Sequence, residues 1–291
     1  MIFVSTSAFD FGIGEYFSLT GRLPDIRNLE LGYGFSSIEA HAFCSQEGGR
    51  EGHSFLIHNY FPPPQDPFVL NLASNDSNTL DRSLSLCRRA IDIGAELGIP
   101  FYSVHSGFSL DPLPEKLGKN LLDLPRFSLG EAYDIFKESV DALAGYTREK
   151  GLRLLLENNV LAEENVVKNR NELFLMCCIE DFMRFDQDFR QDNVGFLLDV
   201  GHLKVSANTL GYDKFKAIEF IADRIEAFHL HDNNGLVDQH FPFREDAWFF
   251  EVLPLFKNKA EFIVEGKSLT ISQIKDQTAI LARKLELFEG G

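Results

Sequence analysis

Residues 194–202 read VGFLLDVGH. Phe196, Leu197 and Leu198 follow one another without polar alternation, the pattern of a strand covered on both faces, as in a parallel sheet. The run over 194–200 stops at Asp199, and His202 follows three positions later. Working outward, the same kind of run recurs at 1–8 (MIFVSTSA), 36–42 (SSIEAHA), 54–60 (SFLIHNY), 101–107 (FYSVHSG), 152–158 (LRLLLEN), 225–231 (IEAFHLH) and 260–266 (AEFIVEG). With 194–200 these make eight strand candidates.

Amphipathic segments lie between the strands. Over 79–97, Leu84, Cys87, Ile91 and Ala95 recur at helical spacing and Gly98 ends the run. Residues 128–150 open with Ser128 and place Glu131 three later, a capping-box signature, and run to Gly151. Further helices are expected near 170–190, 212–224, 244–257 and 268–288, whereas 9–35 and 43–53 are rich in Gly and Ser. This alternation predicts an α/β fold, a single parallel eight-stranded (β/α)8 TIM barrel over residues 1–291. An open doubly wound sheet is the competing architecture. It usually carries a Gly-rich phosphate turn after the first strand; Gly12 and Gly14 stand there without a GxGxxG.

The composition agrees with such a domain. The chain has 291 residues, 44% of them hydrophobic and 25% charged, and 28 are Phe. That is ample core material and argues against disorder. No stretch of about 18 apolar residues is present to span a membrane. The opening MIFVSTSAFDFG lacks the basic region of a secretory signal. Cys44, Cys87, Cys177 and Cys178 contain no CxxC pair, which suggests a reducing cytoplasm. The 28 Lys and Arg against 44 Asp and Glu leave a net charge of −16, which disfavours a general polyanion binder.

In a (β/α)8 barrel the chemistry sits at the C-terminal ends of the strands. Strand 3 ends at His58, strand 4 at His105 and strand 5 at Glu157. Strand 6 ends in Asp199-Val-Gly-His202, strand 7 in His229-Leu-His231-Asp232, and strand 8 at Glu265. The loop after strand 7 carries Asp238 and His240. Six of the eight His fall in this set; His41 ends strand 2 and His53 lies outside. Glu157, Asp199 and Glu265 each follow three apolar residues. A carboxylate buried at such a point is costly unless it is paired or holds a cation. Mixed carboxylate and imidazole donors suit Zn2+, Mn2+, Co2+ or Fe2+ better than Ca2+. Only Cys44, just past strand 2, lies near a strand end, so thiolate ligation is not indicated.

The segments VHSG (104–107), LLEN (155–158), LDVGH (198–202), HLHDNNGLVDQH (229–240) and IVEG (263–266), in this order, resemble the xylose isomerase-like TIM-barrel superfamily. Its members include sugar isomerases and epimerases and the endonuclease IV-like enzymes of AP endonuclease family 2. The resemblance runs from strand 3 to the end of the chain. It implies one divalent ion on Glu157, Asp199, His229 and Glu265, with Glu157 and Glu265 also the acid/base pair and His202 on the substrate. The endonuclease IV pattern implies up to three zinc ions, with His58, His105, His202, Asp238 and His240 as further ligands. Both groups often continue with a Gly-x-Gly turn, where this chain has PFREDAWFF (242–250).

These residues lead first to a metal-dependent isomerase or epimerase of a small sugar or related polyhydroxy carbonyl compound. It would use Zn2+, Mn2+ or Co2+ and transfer a proton through an enediolate between the two Glu residues. His202 and His231 are candidates for substrate hydroxyls. Lys204, Arg244, Lys267 and Trp248 are candidates for further substrate contacts, the basic ones toward a phosphate. The alternative is a multi-zinc phosphodiesterase acting on abasic DNA. DNA binding needs basic loops, yet no Lys or Arg occurs between Glu51 and Asp81, around the loop FPPPQDPF. Tyr60 and Phe61 at this loop could stack on a base. A barrel that binds metal and ligand without turnover is the third reading. The expected partner is a small molecule rather than nucleic acid or membrane; such barrels are often oligomeric, but no segment marks an interface.

Overall fold

The computed structural model describes residues 1–10, 26–32 and 52–286. Its strands are β1 (Ile2–Ser5), β2 (Asn28–Leu31), β3 (Ser54–His58), β4 (Phe101–His105), β5 (Arg153–Glu157), β6 (Val194–Asp199), β7 (Ile225–Leu230) and β8 (Glu261–Val264). All are parallel to their neighbours, and β1 pairs with β8 to close the barrel. The helices are α1 (Ser77–Leu97), α2 (Leu129–Glu149), α3 (Ile179–Asp188), α4 (Val200–Leu210), α5 (Lys214–Ile221) and α6 (Ile271–Glu286). The fold is the TIM barrel that the alternation predicted. Among the described residues no helix is long and apolar enough to cross a membrane.

Two apolar layers result from the strand period of two. One face of each strand packs outward against the helices in the main core. The other face contributes Phe3, Leu56, Phe101, Leu155, Leu197, Ala227 and Ile263, one residue from each strand except β2, to a separate cluster. A cluster shared by seven strands of a closed barrel fills its interior. Two residues further along their strands, on the same inward face, come His58, Glu157, Asp199 and His229. The apolar plug is therefore the floor on which the polar residues stand.

Several boundaries differ from expectation. Strand 2 was expected at 36–42, but β2 is Asn28–Leu31, inside the segment read as Gly- and Ser-rich. Four residues with one acidic inward position, Glu30, do not register as an apolar run. The stretch 36–42 with His41, and Cys44 beyond it, lie outside the described residues. The helix expected at 244–257 is instead two 3-10 turns, Trp248–Glu251 and Leu253–Phe256. Pro254 has no N–H to extend a helical ladder there. The helix expected at 170–190 is confined to α3, because Met176 takes a left-handed backbone and Phe174 bridges to Phe108. The helix α4 lies outside the segments expected to be helical. Asp199 caps it by accepting a hydrogen bond from the His202 backbone N–H at 2.7 Å, so this residue ends β6 and starts α4 at once.

Candidate metal centre

The strand-end residues converge. Glu157 lies at the centre of the cluster, within 3.2 Å of His58 Nε2 and 3.1 Å of His105 Nδ1 through Oε2, and 3.2 Å of His229 Nδ1 through Oε1. Glu265 Oε2 lies 3.0 Å from the same His229 nitrogen, and Asp199 Oδ2 4.0 Å from it. Asp238 Oδ2 lies 2.7 Å from His240 Nε2 and 3.3 Å from His202 Nε2. Among the described residues four sets of donors each fall within 4.8 Å of one another: Glu157–Asp199–His229–Glu265, His58–His105–Glu157, His202–His231–Asp238–His240, and Glu30–His58–His229.

The imidazoles are divided between two directions. His202 donates its Nδ1–H to the Asn158 carbonyl at 2.9 Å, leaving Nε2 toward Asp238. His240 donates Nδ1–H to the Glu265 carbonyl at 3.0 Å, leaving Nε2 toward Asp238. His58 places Nδ1 against the Ser103 hydroxyl at 3.1 Å and Nε2 against Glu157. In each case an outer partner anchors one nitrogen and frees the other for the cluster, the usual arrangement around metal-ligating histidines. His105 Nδ1, Glu157 Oε2, Glu265 Oε2 and Asp238 Oδ1 are buried and make no hydrogen bond among the described residues. Buried polar atoms rarely lack a partner. His105 Nδ1 and Glu157 Oε2 approach to 3.1 Å without hydrogen-bond geometry, as two donors to one cation do. The residues present fit one to three divalent ions.

The electrostatics agree. Burial alone would lower His202, but Asp199 and Asp238 beside it hold its imidazolium well above the ordinary range. His229 is raised against its burial by Glu265, Glu30 and Glu157. His240, despite burial, is raised to about 9, chiefly by its bond to Asp238. Burial would raise Asp199, Asp238 and Glu265, but neighbouring histidines bring all three below the usual carboxylate range. His58 and His105 are lowered, first by burial. Without a cation, protons on imidazoles balance the carboxylates, and a bound metal takes the place of those protons.

Other residues singled out from the sequence fare differently. His231 points Nε2 at both carboxylate oxygens of Asp199, 3.0 Å each, and stacks on His240 at 3.9 Å between ring centres. Its buried ring therefore braces Asp199, and the same Nε2 lies 3.8 Å from Asp238 Oδ1, within the donor set it shares with His202 and His240. Lys204 binds Asp232 Oδ1 at 2.7 Å and the Asn233 carbonyl, tying down the loop that carries Asp238 and His240. Arg244 is 87% exposed and faces Asp246 at 4.0 Å, and Trp248 packs on Phe215 and Lys214; neither is drawn into the cluster. Tyr60 accepts from the Phe68 backbone N–H at 2.9 Å, and Phe61 is fully buried in the core.

Three positions went unread in the sequence. Asn158 accepts from the Asp199 N–H at 2.9 Å and donates to its carbonyl at 3.0 Å, holding β6 to the end of β5. Gly201 leaves room for the His231 ring. Glu30 contacts His229 from below; its only sequence signal is the apolar alternation of Leu29-Glu30-Leu31, which sets Glu30 on the inward face.

The chain belongs to the family described as the xylose isomerase-like TIM barrel, whose model matches residues 33–278. A curated relative, the uncharacterised protein y4fM of Sinorhizobium fredii, is 28% identical over 205 residues, covering 67% of this chain. The match spans 58% of that relative's length. Among solved structures, a D-tagatose 3-epimerase-like protein superposes with a TM-score of 0.72 at 20% identity, covering 98% of this chain and 97% of its own. A Thermus thermophilus protein, TTHB071, soaked with ZnCl2, superposes at 0.62 with 18% identity, covering 97% and 98%. At these identities the two structures establish the shared fold.

Proposed function

We propose that the protein is a divalent-metal-dependent isomerase or epimerase of a small sugar or related polyhydroxy carbonyl compound, working in a reducing cytoplasm. The observation that carries this reading is the pair Glu157 and Glu265. Both converge on His229 Nδ1, at 3.2 and 3.0 Å, and each keeps one buried oxygen without a hydrogen bond. Epimerases among the structural neighbours, such as the D-tagatose 3-epimerase-like protein, support the reaction class. A Zn2+, Mn2+ or Co2+ ion held by Glu157, Asp199, His229 and Glu265 would supply polarisation of a carbonyl and compensation for developing negative charge. One carboxylate takes the proton from the carbon beside the carbonyl, and the other delivers a proton to the adjacent carbon or the opposite face. His202, through Nε2, is the residue we assign to a substrate hydroxyl.

A second reading, a zinc phosphodiesterase acting on abasic DNA, is favoured by one observation. His58, His105, His202, Asp238 and His240 join the same cluster and provide donors for further ions. Against it, Lys204 is engaged with Asp232, and Arg244 faces Asp246 away from the cluster. The deciding experiment combines metal analysis of the purified protein with solvent-deuterium exchange into a panel of ketoses. Deuterium entering a ketose in the Mn2+- or Co2+-loaded protein supports the isomerase. Three zinc ions per chain with cleavage of abasic DNA, and no exchange, would overturn it.

A further inference from the structure

We propose that Glu30 is a positioning residue that accepts the Nε2–H of His229 and thereby commits Nδ1 of that ring to the metal. The inference rests on the reading of His229 as a ligand. Both Glu30 oxygens lie 3.0 Å from His229 Nε2, and both side chains are fully buried. The opposite ring nitrogen, Nδ1, faces Glu157, Glu265 and Asp199. The His58 ring packs edge-on at 4.7 Å and holds the imidazole plane.

The barrel register explains why Glu30 reaches that point. Glu30 pairs across with Leu56 of the apolar plug, one inward step deeper than His58. It takes the place that the other strands fill with an apolar side chain, directly beneath the metal residues. A carboxylate at that depth costs several kcal/mol unless it is hydrogen-bonded. The His229 N–H answers that need. Among the described residues the other outer anchors in the cluster are the Ser103 hydroxyl behind His58 and main-chain carbonyls behind His202 and His240. Glu30 is thus the ionisable anchor for the one histidine shared by both Glu157 and Glu265. A carboxylate behind a ligating imidazole fixes its tautomer and strengthens its inward lone pair; losing such a partner typically weakens metal affinity about 10- to 100-fold.

Glu30→Gln keeps the shape but can donate as well as accept, so it no longer dictates which nitrogen is protonated. Two measurements test it. The first is Co2+ affinity by calorimetry on the full chain, with circular dichroism to verify the fold. The second is the ring-nitrogen NMR spectrum of Zn2+-loaded protein labelled with 15N-histidine, the His229 signals being assigned with His229→Asn. The expected results are a Co2+ affinity reduced about 10- to 100-fold in Glu30→Gln, partial recovery in Glu30→Asp, and a wild-type His229 protonated at Nε2 alone. Co2+ affinity within twofold of wild type in a folded Glu30→Gln overturns the inference, as does a wild-type His229 protonated at Nδ1. If Glu30→Gln does not fold, the wild-type nitrogen spectrum decides. If His229→Asn binds Co2+ like wild type, the ligand reading and the inference fall together. If His229→Asn loses affinity while Glu30→Gln keeps it, the inference falls alone.

Discussion

Replacing Gly201 by alanine should damage this protein, although glycine-to-alanine changes in helices usually help. Gly201 is the second residue of α4, two positions after the Asp199 cap. A Cβ built there would lie 2.0 Å from His231 Cε1 and 2.6 Å from both ring nitrogens, where ordinary contact begins at 3.4 Å. The ring has to retreat by more than an ångström, yet it is buried, stacked on His240 at 3.9 Å and bonded to Asp199 at 3.0 Å. Overpacking of this kind costs about 1–3 kcal/mol, and losing a hydrogen bond to a charged group costs about 1.5–3 kcal/mol. The reduced backbone entropy of alanine returns only about 0.5–1 kcal/mol. The net loss is about 3 kcal/mol. An unfolding entropy of about 2.1 cal/mol/K per residue over 291 residues converts this to a fall of about 5 °C in melting temperature. Gly145, inside α2, is the internal control: a Cβ there meets nothing within 4 Å. Gly145→Ala should gain about 0.5–1 kcal/mol and melt slightly higher. Thermal unfolding of both metal-free variants, followed by circular dichroism, tests the pair. A Gly201→Ala protein as stable as Gly145→Ala would show that the His231 ring is not wedged over the start of α4, and the brace on Asp199 with it.

Glu265→Gln should leave the fold intact and lower solvent-deuterium exchange into the ketose substrate about 10^2- to 10^4-fold; full exchange would remove Glu265 from the acid/base pair. Raised histidines stabilise the metal-free fold fully below their unfolded value, and that contribution fades as pH climbs through the folded one. For His240, raised from 6.5 to about 9, the metal-free melting temperature should therefore fall between pH 6.5 and 9, while Co2+ affinity rises because fewer protons compete; a pH series of melts and titrations measures both. Lys204→Met should release the loop after β7, where Leu236 and Val237 are exposed. Losing the two bonds to Asp232 and Asn233, partly open to solvent, loosens local closure by about 1–1.5 kcal/mol, seen as roughly tenfold faster limited proteolysis in that loop.

What could be read from the sequence follows from local chemistry. The apolar runs before Glu157, Asp199 and Glu265 announce buried strand ends, because a carboxylate directly after three apolar residues has few other places to be. The capping residues of α2 and the spacing of α1 are equally local. Glu30 was missed for the opposite reason. Its strand is four residues long, and its inward carboxylate has meaning only through a partner 199 positions away. His231 illustrates a different gap: its two-residue spacing from His229 places both on one face, but only the tertiary packing shows that Asp199 absorbs its nitrogen. Arg244 and Trp248 follow a motif that is altered in this chain; Arg244 is exposed beside Asp246, and Trp248 packs on Phe215.

The closure of the barrel gives the cluster a further property. Glu157 and His229 are 72 positions apart, and Glu30 and His229 are 199 apart, so the complete donor set exists only after the last strand has docked. Short pieces of the chain, such as Asp238-Gln-His240, offer at most a weak local chelate. A cation taken up by this set would therefore contribute little to the early search and would act as a latch on strands that have already docked. Bound there, it would deepen the native well by RT ln(1 + [M]/Kd), about 2.7 kcal/mol at a hundredfold excess over Kd, and would slow the separation of β5, β6, β7 and β8, whose ends carry Glu157, Asp199, His229 and Glu265, without hastening their meeting.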